Sequence, residues 1–314
     1  MKKLIIFVAS MLCAGFVNAQ DLASVTEIYN SGITANEAGN VELALQNFKE
    51  ALVMAEALGE PAADIAQNCK NSIPILMFSL AKKAVNEADY EKGLAGLKET
   101  IEVANKYGVD DVAEEAKGLV PQVLMQKANG LFNDKDFNGA VGAYKAVLAE
   151  DATNGMASLR LGATYKALGD KESAIAAFRE AIANGQEKQA TKQIVTILQQ
   201  EATANLKAKK YDEAIASALA SNEFGDNAKA YQIAGTAASN AGKLKEAVDY
   251  FQKFIEIDPN AKNSGDILFS IAVNYQKMKD LAKAKEYYQK AIATPGKIKP
   301  DNMKVAQQML ATLK

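Results

Sequence analysis

A short motif that returns along the whole chain constrains its fold more than any other feature of the sequence. The clearest copy, GDKESAI, occupies residues 169–175. Each related copy carries a small residue at the same place, and successive copies lie 33 to 49 residues apart; these residues are Ala44, Gly93, Ala140, Ala174, Ala214, Ala247 and Ala284. Such a period predicts one structural unit that is used repeatedly, with neighbouring units stacked to bury their apolar faces.

Each copy lies between two sets of residues with the spacing of an α-helix. The clearest unit carries these sets on either side of its motif: Leu161, Gly162 and Tyr165, then Phe178 and Ala181. These spacings place each set on one face of a helix. Gly169 is suited to end the first helix, and Asp170 is suited to begin the second. We therefore expect an all-α chain of antiparallel helix pairs, whose small residues allow the two helices to approach closely.

This pattern resembles the tetratricopeptide repeat, a helix pair of 34 residues with small, aromatic and proline residues in fixed order. Four units carry most of that pattern: Gly32, Ala44, Phe48 and Ala51; Leu161, Gly162, Tyr165, Ala174, Phe178 and Ala181; Tyr231, Gly235, Ala247, Phe251 and Pro259; Leu268, Tyr275, Ala284, Tyr288 and Ala291. The units around Gly93, Ala140 and Ala214 are degenerate. The resemblance implies an α-solenoid of about seven helix-turn-helix repeats with a C-terminal capping helix.

The expected organisation is a leader over residues 1–19 and a solenoid over residues 20–314. Within the solenoid we expect irregular repeats with extended helices over 20–152, more regular repeats over 153–299 and the capping helix over 300–314. The apolar stripe of that last helix comprises Val305, Ala306, Met309, Leu310 and Leu313. Pro74 and Pro121 each begin a separate short helix or lie in a longer kinked one, because proline is accepted in a first turn and disrupts a helix interior.

The leader has the three parts of a secretory signal. Lys2 and Lys3 precede an uncharged stretch over residues 4–17, which is shorter than a membrane span of about 20 residues, and Ala19 ends a cleavage site. An uncleaved anchor and a lipoprotein at Cys13 are the alternatives, although Leu12 fits a lipidation site poorly. The cleavage site and the lysine-rich composition resemble exported proteins of Bacteroidota. We therefore expect a periplasmic protein with no membrane span after cleavage.

Composition excludes several classes of function. The chain contains no histidine, which removes serine-histidine and cysteine-histidine catalysis and most zinc sites. Its 36 basic residues, only two of them arginine, are dispersed among 38 acidic ones, and this is not typical of nucleic-acid binding. Residues 134–139 resemble half of a calcium loop, but Lys145 stands where the loop needs glutamate. We expect no enzyme, cofactor or metal site, and a buried Cys69 without a disulfide partner.

The resemblance also implies where a partner binds. In this family the first helices line a concave groove that holds segments of partner proteins. The equivalent positions in this chain are Tyr29, Phe78, Lys82, Met125, Asn129, Phe132, Leu159, Arg160, Gln199, Thr203, Gln232, Thr236 and Phe269. The family's lysine-asparagine carboxylate clamp is absent, since Tyr29 and Phe78 occupy lysine positions. We expect a protein-protein interaction scaffold or adaptor in the bacterial cell envelope, or alternatively a protein that binds a peptide or glycan fragment.

Overall fold

The computed structural model describes residues 19–313, with side chains from residue 21 onward, and this part of the chain is helical without strands. Its α-helices are α1 (Ala19–Glu37), α2 (Val41–Leu58), α3 (Ala63–Asn86), α4 (Tyr90–Tyr107), α5 (Asp110–Asn133), α6 (Phe137–Glu150), α7 (Gly155–Leu168), α8 (Lys171–Ala183), α9 (Glu187–Lys207), α10 (Tyr211–Ala220), α11 (Ala228–Asn240), α12 (Leu244–Ile257), α13 (Ser264–Lys277), α14 (Leu281–Ile292) and α15 (Pro300–Thr312). The predicted leader lies outside the described residues except for its last residue, Ala19.

The helices pack in consecutive pairs, which confirms the all-α repeat prediction. Within the described residues there are seven pairs, α1/α2 through α13/α14, and α15 packs on α14 and α13 after the last of them. The chain divides into two compact units, of which the first ends at Ala152 and the second begins at Thr153. The first unit holds three pairs, and the second holds four pairs and α15.

The turn inside each pair has one recurring backbone conformation. Five residues before each motif's small residue, the chain adopts a positive φ of 62° to 81°, at Gly39, Ala88, Lys135, Gly169, Lys209, Gly242 and Lys279. The next residue is the N-cap of the second helix. In five pairs its side chain accepts a hydrogen bond from the backbone N–H three residues later, at 2.9 to 3.2 Å, from Asn40, Asp89, Asp136, Asp170 and Asp280. The residues that resemble a calcium loop are therefore the turn between α5 and α6 together with the start of α6.

In three of the pairs, close approach of the two helices depends on a glycine that faces a phenylalanine. A Cβ atom built on Gly32, Gly162 or Gly235 would lie 2.7 to 2.9 Å from the ring of Phe48, Phe178 or Phe251, respectively. Carbon atoms make favourable contacts only at separations near 3.5 to 4.0 Å, so a side chain at any of these positions must displace the ring. This geometry confirms that the small residues set the spacing of the helices.

The prolines resolve the alternatives for the extended units. Pro74 and Pro121 lie inside α3 and α5, each a single helix of 24 residues, so the extra residues lengthen the first helix of the pair. The other four prolines lie at helix ends or in the connections between helices: Pro61, Pro259, Pro295 and Pro300.

The capping helix differs from expectation at one residue. Ala306 is fully buried, and Met309 and Leu310 pack against the last pairs, but Val305 is 38% exposed. Val305 lies one residue, or about 100°, from Ala306 around the helix, which turns it away from the stripe that contacts α13 and α14. Its assignment to the apolar stripe was therefore wrong. Over residues 19–313, no helix combines the length and the apolar character that crossing a membrane requires.

Candidate partner-binding cleft

All of the groove residues expected from the sequence lie on the first helix of their pair. They are distributed as follows: Tyr29 on α1; Phe78 and Lys82 on α3; Met125, Asn129 and Phe132 on α5; Leu159 and Arg160 on α7; Gln199 and Thr203 on α9; Gln232 and Thr236 on α11; Phe269 on α13. First helices of neighbouring pairs also contact each other directly, at α1/α3, α3/α5 and α9/α11. The candidates are thus spread over seven helices in two units and do not form one compact site.

In the first unit, several of these side chains are held by packing inside or between pairs. The ring of Tyr29 contacts that of Phe48 on the second helix at a tilt of 51°, with ring centroids 5.5 Å apart. Phe78 is 7% exposed, and the Lys82 ammonium lies 4.1 Å from the centre of its ring. The side-chain amide oxygen of Asn129 accepts a hydrogen bond of 2.7 Å from the hydroxyl of a buried tyrosine on α6. Of these residues, Lys82 is the one with an exposed side chain.

Met125 and Phe132 complete the candidates of the first unit. Met125 is half-buried on α5. Phe132 is half-buried as well and meets the ring of Phe137 edge-on, with centroids 5.4 Å apart. Because Phe137 begins α6, this contact joins the two helices of the third pair.

In the second unit, the two threonine candidates form side-chain hydrogen bonds within their own helices. The Thr203 and Thr236 hydroxyls each donate to the carbonyl oxygen four residues earlier, of Gln199 and Gln232, at 2.8 Å. The side-chain nitrogen of Gln199 is buried and has no hydrogen-bond partner among the described residues. The ring of Phe269 contacts that of Tyr288 at a tilt of 56°, with centroids 5.7 Å apart, which repeats the Tyr29–Phe48 contact of the first pair.

Two of the candidates, Leu159 and Arg160, meet at a defined cleft between α7 and α9. Its volume is about 510 Å³. Four apolar side chains form part of its wall: Met156, Leu159, Ala163 and Phe178. Four polar side chains complete the lining: Arg160, Lys166, Gln189 and Gln193. The cleft therefore combines an apolar wall with two cationic and two amide side chains.

The two cations of this cleft are positioned differently. The Lys166 ammonium donates a hydrogen bond of 2.8 Å to the side-chain oxygen of Gln193, which ties α7 to α9 across the cleft. Arg160 is exposed and, within the part of the chain that the structure describes, makes no ion pair with an acidic side chain. Among the described residues that line the cleft, none is acidic.

Sequence reasoning assigned Phe178 to the repeat pattern rather than to the groove, and it missed five other residues of this cleft: Met156, Ala163, Lys166, Gln189 and Gln193. Helical spacing from Leu159 pointed to three of them, since Met156, Ala163 and Lys166 lie three, four and seven residues away on the same helix. The two glutamines lie near the start of α9, which has 21 residues. The 40-residue spacing between Ala174 and Ala214 indicated that this unit is longer than 34 residues, but it did not indicate which helix of the pair carries the extra residues.

Models of the tetratricopeptide repeat match three segments of the chain: residues 125–188, 228–261 and 265–294. The chain contains tetratricopeptide repeats. The first segment runs from α5 to α8 and includes the repeat around Ala140, which the sequence pattern alone had marked as degenerate. The other two segments correspond to the pairs α11/α12 and α13/α14. No curated protein matches the chain.

Solved structures with tetratricopeptide repeats are similar to parts of this chain. YrrB, described as a TPR protein with an unusual peptide-binding site, is 22% identical, and the match covers 64% of this chain and 95% of YrrB with a TM-score of 0.35. MamA from Desulfovibrio magneticus RS-1 is 16% identical over 55% of this chain and 93% of its own, with a TM-score of 0.32. The TPR2AB domain of yeast Sti1, solved as a pHSP90 complex, is 15% identical over 93% of this chain and 98% of its own, with a TM-score of 0.34.

Proposed function

We propose that this chain is a non-enzymatic interaction scaffold or adaptor of the bacterial cell envelope, and that its first helices bind a segment of a protein partner. The observation that carries the proposal is the α7/α9 cleft. It combines buried apolar side chains with exposed or half-buried polar ones, as the buried centre and polar rim of protein interfaces do. Met156, a residue type enriched at such interfaces, is 41% exposed beside the cleft.

The proposed partner is a protein rather than a nucleic acid. With 36 basic and 38 acidic residues, the chain lacks the overall positive charge that phosphate binding favours. The cleft offers side-chain amides, which can both donate to and accept from a peptide backbone. Its apolar wall, with Leu159 and Phe178, suits one or two apolar side chains of a partner segment.

Photo-crosslinking tests this function in cells. A photoreactive residue at Met156 reports on the cleft, and one at Ala176, exposed on the second helix α8, is the matched control. We expect a discrete crosslinked protein from position 156 only. That protein, once purified, should bind the unmodified chain and lose affinity when Ala163→Trp fills the cleft. Equal capture from both positions, or unchanged affinity for the filled cleft, would contradict the proposal.

The proposed envelope location is supported by the leader sequence, in which Lys2 and Lys3 precede the uncharged stretch and Ala19 ends the cleavage site. We expect the protein to enter the periplasm and to begin at Gln20 after cleavage. Intact-mass measurement on the periplasmic fraction tests this expectation directly. A protein that keeps residues 1–19, or that carries a lipid on Cys13, would contradict it.

A further inference from the structure

The second unit separates charge between its two sets of helices. Its first helices, α7, α9, α11 and α13, carry seven basic and three acidic residues, a net charge of +4. Its second helices, α8, α10, α12 and α14, carry seven basic and eight acidic residues, a net charge of −1. Among the paired helices of this unit, those that hold the proposed partner site therefore have a net positive charge.

The first unit has the opposite charge on its first helices. There α1, α3 and α5 together carry five basic and eight acidic residues, a net charge of −3. An acidic ligand is thus attracted to the first helices of the second unit and repelled by those of the first. This difference gives the two units different electrostatic preferences, although they are built from the same repeat.

Within the second unit, α7 carries the clearest charge signature. Its only charged residues are Arg160 and Lys166, and both line the cleft. Arg179, the other arginine of the chain, provides a contrast on α8, because it pairs with Glu223 at 3.3 Å and lies over the ring of Phe224. Arg160 has no such partner in the described part of the chain.

We propose that the α7/α9 cleft binds an acidic segment of the partner, in which an apolar side chain enters the cleft and neighbouring carboxylates bind Arg160 and Lys166. This inference rests on the proposed function and adds the chemistry of the ligand. Guanidinium and ammonium groups form charge-assisted hydrogen bonds with carboxylates, and the guanidinium can do so with two parallel bonds. Lys166, already held by Gln193, presents its charge at a fixed place in the cleft wall.

Fluorescence anisotropy with defined peptides tests this ligand chemistry. The probe is a short labelled peptide, capped at both ends, in which one leucine is flanked by glutamates; matched peptides carry glutamine or lysine in place of the glutamates. We expect the full chain to prefer the glutamate peptide, and we expect this preference to weaken as salt is added, because exposed charges are screened. Equal affinity for the glutamine peptide would overturn the inference.

The two arginines provide a matched pair of variants. Arg160→Gln should weaken binding of the glutamate peptide about tenfold and leave the glutamine peptide unaffected, because the lost contact is to a charge. Arg179→Gln removes the same charge from the second-helix side and should leave both affinities unchanged. Similar losses in the two variants would overturn the inference.

The crosslinking result separates this inference from the proposed function. If a partner crosslinks at Met156 but the cleft shows no preference for glutamate over glutamine, the proposed function stands and the acidic ligand is wrong. If neither a partner nor any of the peptides binds, both are wrong.

Discussion

The α-carbon of Gly162 lies so close to the ring of Phe178 that an added Cβ would stand 2.7 Å from Cδ1 and 2.8 Å from Cε1. We expect Gly162→Ala to destabilise the protein by about 1–3 kcal/mol, as overpacking of a core does. Urea denaturation followed by circular dichroism measures this change. Gly142→Ala is the control, since nothing lies within 4 Å of its added Cβ; it should stabilise by about 0.5–1 kcal/mol.

The same contact predicts a specific rescue. In the second pair, Ala81 and Leu97 hold the positions equivalent to Gly162 and Phe178, and both are buried in one apolar cluster. Alanine at the position of Gly162 is therefore compatible with a leucine at the position of Phe178. Gly162→Ala combined with Phe178→Leu should cost less than the sum of the two single changes, because the residues are in contact. Strict additivity in the denaturation experiment would contradict the proposed coupling.

Three turns place a lysine where the backbone favours glycine. Lys135, Lys209 and Lys279 have φ of 62° to 64°, whereas three other turns have glycine at the equivalent place. The left-handed conformation costs a non-glycine residue roughly 1–2 kcal/mol. Each Lys→Gly change at these turns should therefore raise the free energy of unfolding by about 1 kcal/mol after the added flexibility of the unfolded chain is included. As a control, Lys192→Gly inside α9 should lower the free energy of unfolding. If this control also stabilised the protein, the left-handed turn conformation would not be the cause of the stabilisation.

The pair α9/α10 lacks a side-chain cap that five other pairs have. Lys210 occupies the N-cap of α10 with φ of −84° and ψ of 75°, close to the values at Asp170, but makes no capping hydrogen bond. Lys210→Asp should supply that bond and stabilise the protein by about 1 kcal/mol. Lys207→Asp makes the same charge change at the C-terminus of α9, where a negative charge is unfavourable. Thermal denaturation should therefore show opposite shifts for the two variants.

Cys69 should behave as a chemically inert core residue. Its side chain is fully buried, and burial raises the pKa of the thiol to about 11. Because only the thiolate reacts, alkylation of the native protein at pH 8 should be far slower than alkylation in urea, as measured by mass spectrometry of the peptide that contains Cys69. The raised pKa also means that the folded state holds the thiol proton more tightly than the unfolded state does. The stabilisation of the folded state that results from this difference is complete at pH values below the pKa of the unfolded chain, and it is lost as the pH rises through about 11. Rapid alkylation of the native protein would contradict the buried position.

The sequence predicted the helix pairs well because their ends are specified locally. A left-handed residue followed by a capping side chain, as in Gly169 and Asp170, ends one helix and starts the next whatever the surroundings are. Pro74 was ambiguous because proline is compatible with both a helix start and a long helix supported by packing on its neighbours. Burial of Pro74 inside α3 depends on those neighbours, and local sequence does not determine it.

The candidate cleft was predicted only in part. Leu159 and Arg160 followed from repeat position, because that position fixes the face of α7. Gln189 and Gln193 did not, since their approach to α7 depends on how the extra turns of α9 extend beyond the repeat. The charge contrast between the two arginines was also invisible in sequence, because the partner of Arg179 lies 44 residues away in the chain.

Within each unit, every helix packs on the helix just before or just after it, and this arrangement has a kinetic consequence. Contacts between residues that are near in sequence require little loop closure, and helical proteins with such low contact order fold in microseconds to milliseconds. Any pair can serve as a nucleus, and order can then spread in both directions along the chain. The refolding rate should therefore be insensitive to most single core substitutions, whose effects should appear chiefly as faster unfolding.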